Sequence, residues 1–116
     1  MATISYAVDE IKTYGEQAHV VSWAFTGGDT GVPIEMPGAS TRSVQFAGTF
    51  NGATVVLEGS NDGTNYATLT DPQGNAISKT ADALEKVEEV TRYVRPRVSA
   101  GAVTAVTITM LLRRER

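Results

Sequence analysis

The feature that most limits this chain is a side-chain period of two, broken at short intervals by residues that turn the backbone. His19, Val21, Trp23 and Phe25 fall on alternate positions, as do Val44, Phe46, Gly48 and Phe50, and again Val106, Ile108, Met110 and Leu112. Successive side chains of a strand point to opposite faces, so each run reads as a strand with its apolar side toward a core. Trp23 is the only Trp and stands inside its series. It is expected to anchor that core.

The punctuation is as informative as the runs. Asn51-Gly52 directly follows Phe50, and this pair best tolerates the positive φ angles of a two-residue hairpin turn. The spacing predicts a hairpin in which 53–58 folds back on 42–50. Gly59 to Asn65 reads as a second turn and Asp71 to Asn75 as a third, with a short strand over 66–69 between them. The stretch 26–40 holds Gly27, Gly28, Asp29, Gly31, Pro33, Pro37 and Gly38, which predicts a loop with at most a short edge strand. In 92–98, Pro96 has no N–H to give a ladder, which predicts a sheet edge or a bulge there. In 81–90, Leu84, Val87 and Thr91 have helical spacing and Asp82 with Glu85 resembles a capping box, while Leu84, Glu88 and Val90 equally suit a strand; a single helical turn is the preferred reading.

With 116 residues, there is length for one core and not for two. The reading is an N-terminal arm or surface segment over 1–16 and one domain over 17–116. That domain is all-β, an antiparallel β-sandwich or jelly roll with at most one short helical turn. Nothing long and helical is present to cross between parallel strands.

Chemistry narrows next. The absence of Cys removes disulfides, thiol nucleophiles and cysteine-held metals. A single histidine, His19, is poor material for a catalytic triad or a two-histidine zinc site. Glu85, Glu88 and Glu89 form the densest carboxylate group, which a solvated face explains. Asn61-Asp62-Gly63 offers one carboxylate, too few for calcium. Gly27-Gly28-Asp29 lacks the lysine and helix of a phosphate loop. No enzyme activity, catalytic residue, cofactor or metal is therefore expected. A net charge of -3 argues against nucleic acid. No apolar run approaches the roughly 20 residues of a spanning helix, and the first residues do not read as a signal peptide. The expectation is a protein that stays where it is made or travels with a larger particle.

Basic residues cluster at Arg92, Arg95 and Arg97 and again at Arg113, Arg114 and Arg116. Arg95 and Arg97 share a strand face with Tyr93, where they would meet cross-strand glutamates or an acidic partner. Arg95, Arg97, Asp29 and Pro33 are the expected partner contacts, the last two in the glycine-rich loop.

From Gly48 to Val98 the chain reads GTFNGATVVLEGSNDGTNYATLTDPQGNAIS, then VEEVTRYVRPRVSAG and a terminal VTITMLL. Taken together, these strings resemble small virion structural proteins of tailed bacteriophages, of the head decoration or cement type. The resemblance implies a β-sandwich that binds the major capsid protein and bridges its subunits. It further implies copies associated as dimers or trimers on the capsid exterior, made in the cytoplasm of the bacterial host. The pattern VxLEGSNDGTNY with RYVRPRV is also similar to discoidin-type jelly rolls. That likeness implies the alternative, a carbohydrate- or host-surface-binding module on a fibre or spike.

Overall fold

The computed structural model describes residues 2–13 and 16–114. These residues contain twelve strands and no helix. The strands are β1 (Thr3–Ile4), β2 (Ala7–Thr13), β3 (Glu16–Phe25), β4 (Thr30–Gly31), β5 (Ile34–Glu35) and β6 (Thr41–Thr49). The chain continues through β7 (Thr54–Ser60), β8 (Ala67–Thr68), β9 (Ser78–Lys79), β10 (Ala83–Lys86), β11 (Tyr93–Ala100) and β12 (Ala105–Arg113).

Two sheets form. One has five strands in the order β10-β6-β12-β3-β2, and the other has seven along β1-β4-β11-β7-β8, with β5 on β11 and β9 on β7. Every pairing is antiparallel except β1 with β4. Between the sheets lies one core that includes Trp23, Phe25, Phe46, Leu57, Ile108 and Met110, all but enclosed. Burying each such Leu, Ile or Phe contributes about 1.5–3 kcal/mol. The alternating runs of β3, β6 and β12 all turn their apolar sides inward, as their period requires. Trp23 is fully buried, its Nε1 donates to the Val32 carbonyl at 3.0 Å, and its ring meets Tyr6 edge-on. The fold class is the expected all-β sandwich.

Three expectations fail in instructive ways. The Asn51-Gly52 turn forms, with φ of 54° and 75° and the Ala53 N–H donating to the Phe50 carbonyl at 2.9 Å. Its flanking strands nevertheless do not pair. β6 belongs to the five-stranded sheet beside β12, and β7 to the seven-stranded sheet beside β11. The connection is an arch from one sheet to the other, as consecutive strands of a jelly roll make. β7 carries Val55, Val56 and Leu57 in succession and is buried along both faces, a demand that a two-stranded hairpin with a wet face cannot meet.

The helical turn over 81–90 is also absent. Residues 83–86 form β10 against β6, with Ala83 opposite Phe46 and Lys86 opposite Ser43. Val87 is buried and its N–H donates to the Arg42 carbonyl at 3.0 Å. Asp82 caps no helix, and its Oδ1 accepts from the Gly48 N–H at 3.0 Å. Covering the open edge of β6 gains ladder bonds that one isolated helical turn, with its costly nucleation, does not.

Pro96 lies in neither of its expected settings. β11 is an interior strand, and its register shift falls between Val98 and Ala100. The Val98 N–H donates toward β4, to the Asp29 carbonyl. By the two-residue period, the Pro96 nitrogen faces the same side, in the gap between Thr30 opposite Arg97 and Ile34 opposite Val94. A missing donor costs nothing where no strand asks for it.

Candidate functional site

Among the described residues, the outer face of the seven-stranded sheet brings charged side chains of both signs together. Register sets its rows. Arg95 stands opposite Glu58, which stands opposite Thr68, and Arg97 stands opposite Val56. Tyr93 has Ser60 on one side and Glu35 on the other. Glu58 is almost fully buried although it points away from the core, because the long side chains of β11 lie over it. Its Oε1 accepts from Arg95 Nε at 2.8 Å, and both oxygens accept from Arg97 Nε at 3.2 Å.

One carboxylate thus neutralises one of two guanidiniums, and the cluster keeps a net positive charge. Both arginines spend Nε on Glu58, and their side chains stay 26% and 39% exposed. The Arg95 guanidinium lies over the Tyr66 ring at 3.8 Å from its centroid. Partial burial pushes the Tyr66 hydroxyl above its ordinary pKa, with Arg95 opposing that shift. Arg92 lies over Tyr93 at 5.0 Å and donates from Nε to Glu35 at 2.6 Å, a bond that holds it above the usual arginine range. The expected meeting of Arg95 and Arg97 with a cross-strand glutamate is present in this geometry.

The other two expected contact residues stand elsewhere. Asp29 is 4% exposed and its Oδ2 accepts from the Thr26 N–H at 2.9 Å, so its carboxylate closes the loop that carries it. Pro33 is half-buried between β4 and β5, at the edge of the same sheet. Arg113 and Arg114 lie at the end of β12, whereas Arg116 falls outside the described residues. Glu58 and Tyr66 are members of the cluster that sequence reasoning did not single out. A lone glutamate within an apolar run, two strands from an Arg-x-Arg pair, was the signal available.

Elsewhere the polar groups serve the fold. Asp62 accepts at Oδ1 from the Ser60 hydroxyl and the N–H groups of Thr64 and Asn65, and at Oδ2 from the Asn65 amide, all at 2.8 Å. These donors, the Asn65 and Thr64 N–H groups foremost, hold its carboxyl far below the usual aspartate range. It spends both oxygens on its own turn. Burial pushes the Glu89 carboxyl up, but bonds from the Thr70 hydroxyl and N–H outweigh it and leave it below its ordinary value. Glu85 pairs with Lys79 at 2.6 Å.

Among the depressions lined by described residues are two of note. One of about 560 Å³ lies between the 48–52 arch and residues 80–82, with Asp82 its sole ionisable lining group. The other, about 310 Å³, is lined by His19, Met36, Gly38, Ala39 and Arg114. Beside it Arg42 is buried, and desolvation lowers its pKa. Neither depression brings a nucleophile to a base, nor a pair of carboxylates together.

No family model matches the chain, and no curated protein does. Among solved structures it is similar to the SPBc2 prophage-derived protein YomS, at a TM-score of 0.66 and 12% identity over 90% of this chain and 99% of that one. Weaker likenesses are to the K2 cleaved adhesin domain of Lys-gingipain (0.48, 11%, 97% and 83%) and to a cupin domain of Bordetella pertussis (0.43, 13%, 97% and 97%). The YomS likeness covers most of this chain and nearly all of that one, and it concerns the fold.

Proposed function

We propose that this chain is a non-enzymatic virion structural protein that decorates the outside of a tailed-phage capsid and bridges major capsid protein subunits. The observation that carries the reading is the seven-stranded face, where Glu58 accepts from the Nε of both Arg95 and Arg97, the Arg95 guanidinium lies over the Tyr66 ring, and both arginine side chains stay partly exposed. A prepositioned guanidinium pair binds carboxylates with little ordering cost, and a protein repeated on a lattice multiplies modest contacts by multivalency. The prophage origin of YomS, which shares this fold, supports a phage setting. The protein would be made in the cytoplasm of the bacterial host and join the capsid there.

The test is co-sedimentation with capsids that lack this protein. Wild type should pellet at a fixed ratio to the major capsid protein, and Arg95→Ala with Arg97→Ala should weaken that binding at least about 10-fold, the effect of losing charge-assisted bonds worth about 1.5–3 kcal/mol each. No pelleting of wild type, or equal pelleting of the double variant, defeats the assignment.

A further inference from the structure

The opposite surface, the outer face of the five-stranded sheet, differs sharply in character. Across the three central strands the outward positions include 20, 22 and 24 on β3, 43, 45, 47 and 49 on β6, and 105, 107, 109 and 111 on β12, as register with their neighbours fixes. They are Ala, Ser, Thr, Gln, Val and Leu throughout, with no charged side chain. An ordinary protein surface is roughly 25–35% Lys, Arg, Glu and Asp, so an area of this size should hold several. Charge returns at its margins, with Lys86 on β10, Arg113 at the end of β12 and, by register opposite Val20, Asp9 on β2. Among the described residues, two of the three exposed large hydrophobic side chains, Leu84 (67% exposed) and Leu111 (42%), belong to this same face. An uncharged centre with apolar side chains and a charged margin is the anatomy of a buried interface.

We infer that this face is where two copies of the chain associate about a two-fold axis. Two observations select a second copy as the occupant. First, an isologous contact sets each patch against itself, so a charged residue near the axis would meet its own like. A patch without charge satisfies that condition, whereas the arginine face does not. Second, the size is right. β6 and β12 are nine residues each, about 30 Å long, and five strands about 4.8 Å apart make a width of roughly 24 Å. The uncharged three-strand centre therefore offers roughly 400 Å², and the face with its charged margins roughly 700 Å² per copy, near the roughly 800 Å² per partner of a stable interface. Apart from Gln45 and Leu111, the outward residues of β6 and β12 are Ala, Ser and Thr, so two such faces approach closely with modest side-chain entropy lost. Pairing through this surface leaves both arginine faces pointing outward, which doubles their valency without depending on what they bind.

Sedimentation equilibrium of the purified protein tests the inference with no capsid present, so its outcome is separate from that of the decoration reading. Wild type should be a dimer that dissociates on dilution. Thr107→Glu places a charge on the central strand and should raise the dissociation constant at least about 100-fold, since like charges brought together at an interface cost several kcal/mol. Gln45→Glu, on the neighbouring strand, should act in the same direction, and Thr68→Glu, on the other sheet, should leave the dimer intact. Circular dichroism checks that each variant is folded. A wild-type monomer at about 100 μM, a ring of three copies, or a dimer indifferent to both folded charge variants overturns the inference. In the first case the face serves a different partner.

Discussion

Arg42 shows how one side chain can organise a fold while doing no chemistry. It is 1% exposed and has no carboxylate beside it. Its Nε donates to the Ala39 carbonyl at 2.8 Å, and its Nη2 to those of Met36 and Thr91 at 2.9 Å. Nη1 has no protein partner. Two loops that no ladder holds together are thus tied to β6 through one guanidinium. Arg42→Ala should cost about 3 kcal/mol or more, because buried carbonyls lose their donor at about 1–3 kcal/mol each and a cavity opens. Urea unfolding measures it, and a cost under about 1 kcal/mol would mean the loops hold themselves. Asp62 makes a prediction about pH. Its folded pKa lies far below its value in an unfolded chain, about 3.9, so its stabilisation is complete above that pH and declines as pH falls toward the folded value. Asp62→Asn should therefore be less stable than wild type at pH 7, with the gap narrowing below about pH 4. Urea midpoints at pH 7, 4 and 2.5 would reveal it, and a gap that stays constant contradicts this account.

At the scale of elements, the arch between β6 and β7 decides the topology. β6 must leave its sheet near Gly48, where φ is 143° and an added Cβ would stand 2.1 Å from the Ala105 carbonyl oxygen. Gly48→Ala should destabilise by at least about 2 kcal/mol, from a disfavoured backbone angle and a backbone clash together. A midpoint near that of wild type would show that the strand can bend elsewhere. The same arch marks the limit of local reading. Asn51-Gly52 specifies a turn, and a turn is what forms. Whether its arms zip together is a competition with β11 and β12, distant in sequence, and no turn residue reports on that. The run Val55-Val56-Leu57 held the better clue, since an unbroken apolar stretch belongs to a strand buried on both sides. For 81–90 the two periods overlap over too few residues to separate, and the open edge of β6 settled the choice.

For the molecule as a whole, the two sheets present unlike surfaces. One is a lattice of arginines, tyrosines and a buried glutamate, and the other carries no charge across its three central strands. Sequence alone determined the strand periods, the inward residues of β3, β6 and β12, the turn positions, the all-β class and the shared face of Tyr93, Arg95 and Arg97. All of these follow from a two-residue alternation and from backbone angles that few residues accept, both written within a few positions of one another. Only tertiary structure decided which strands became neighbours, that Glu58 would lie sealed beneath Arg95 and Arg97, and that Asp29 would be buried in its own loop. It also gathered uncharged positions of β3, β6 and β12 onto one surface. Pairing between strands many residues apart is won by the arrangement that buries the most apolar area with every ladder satisfied. That is a property of the whole chain, and no single segment encodes it.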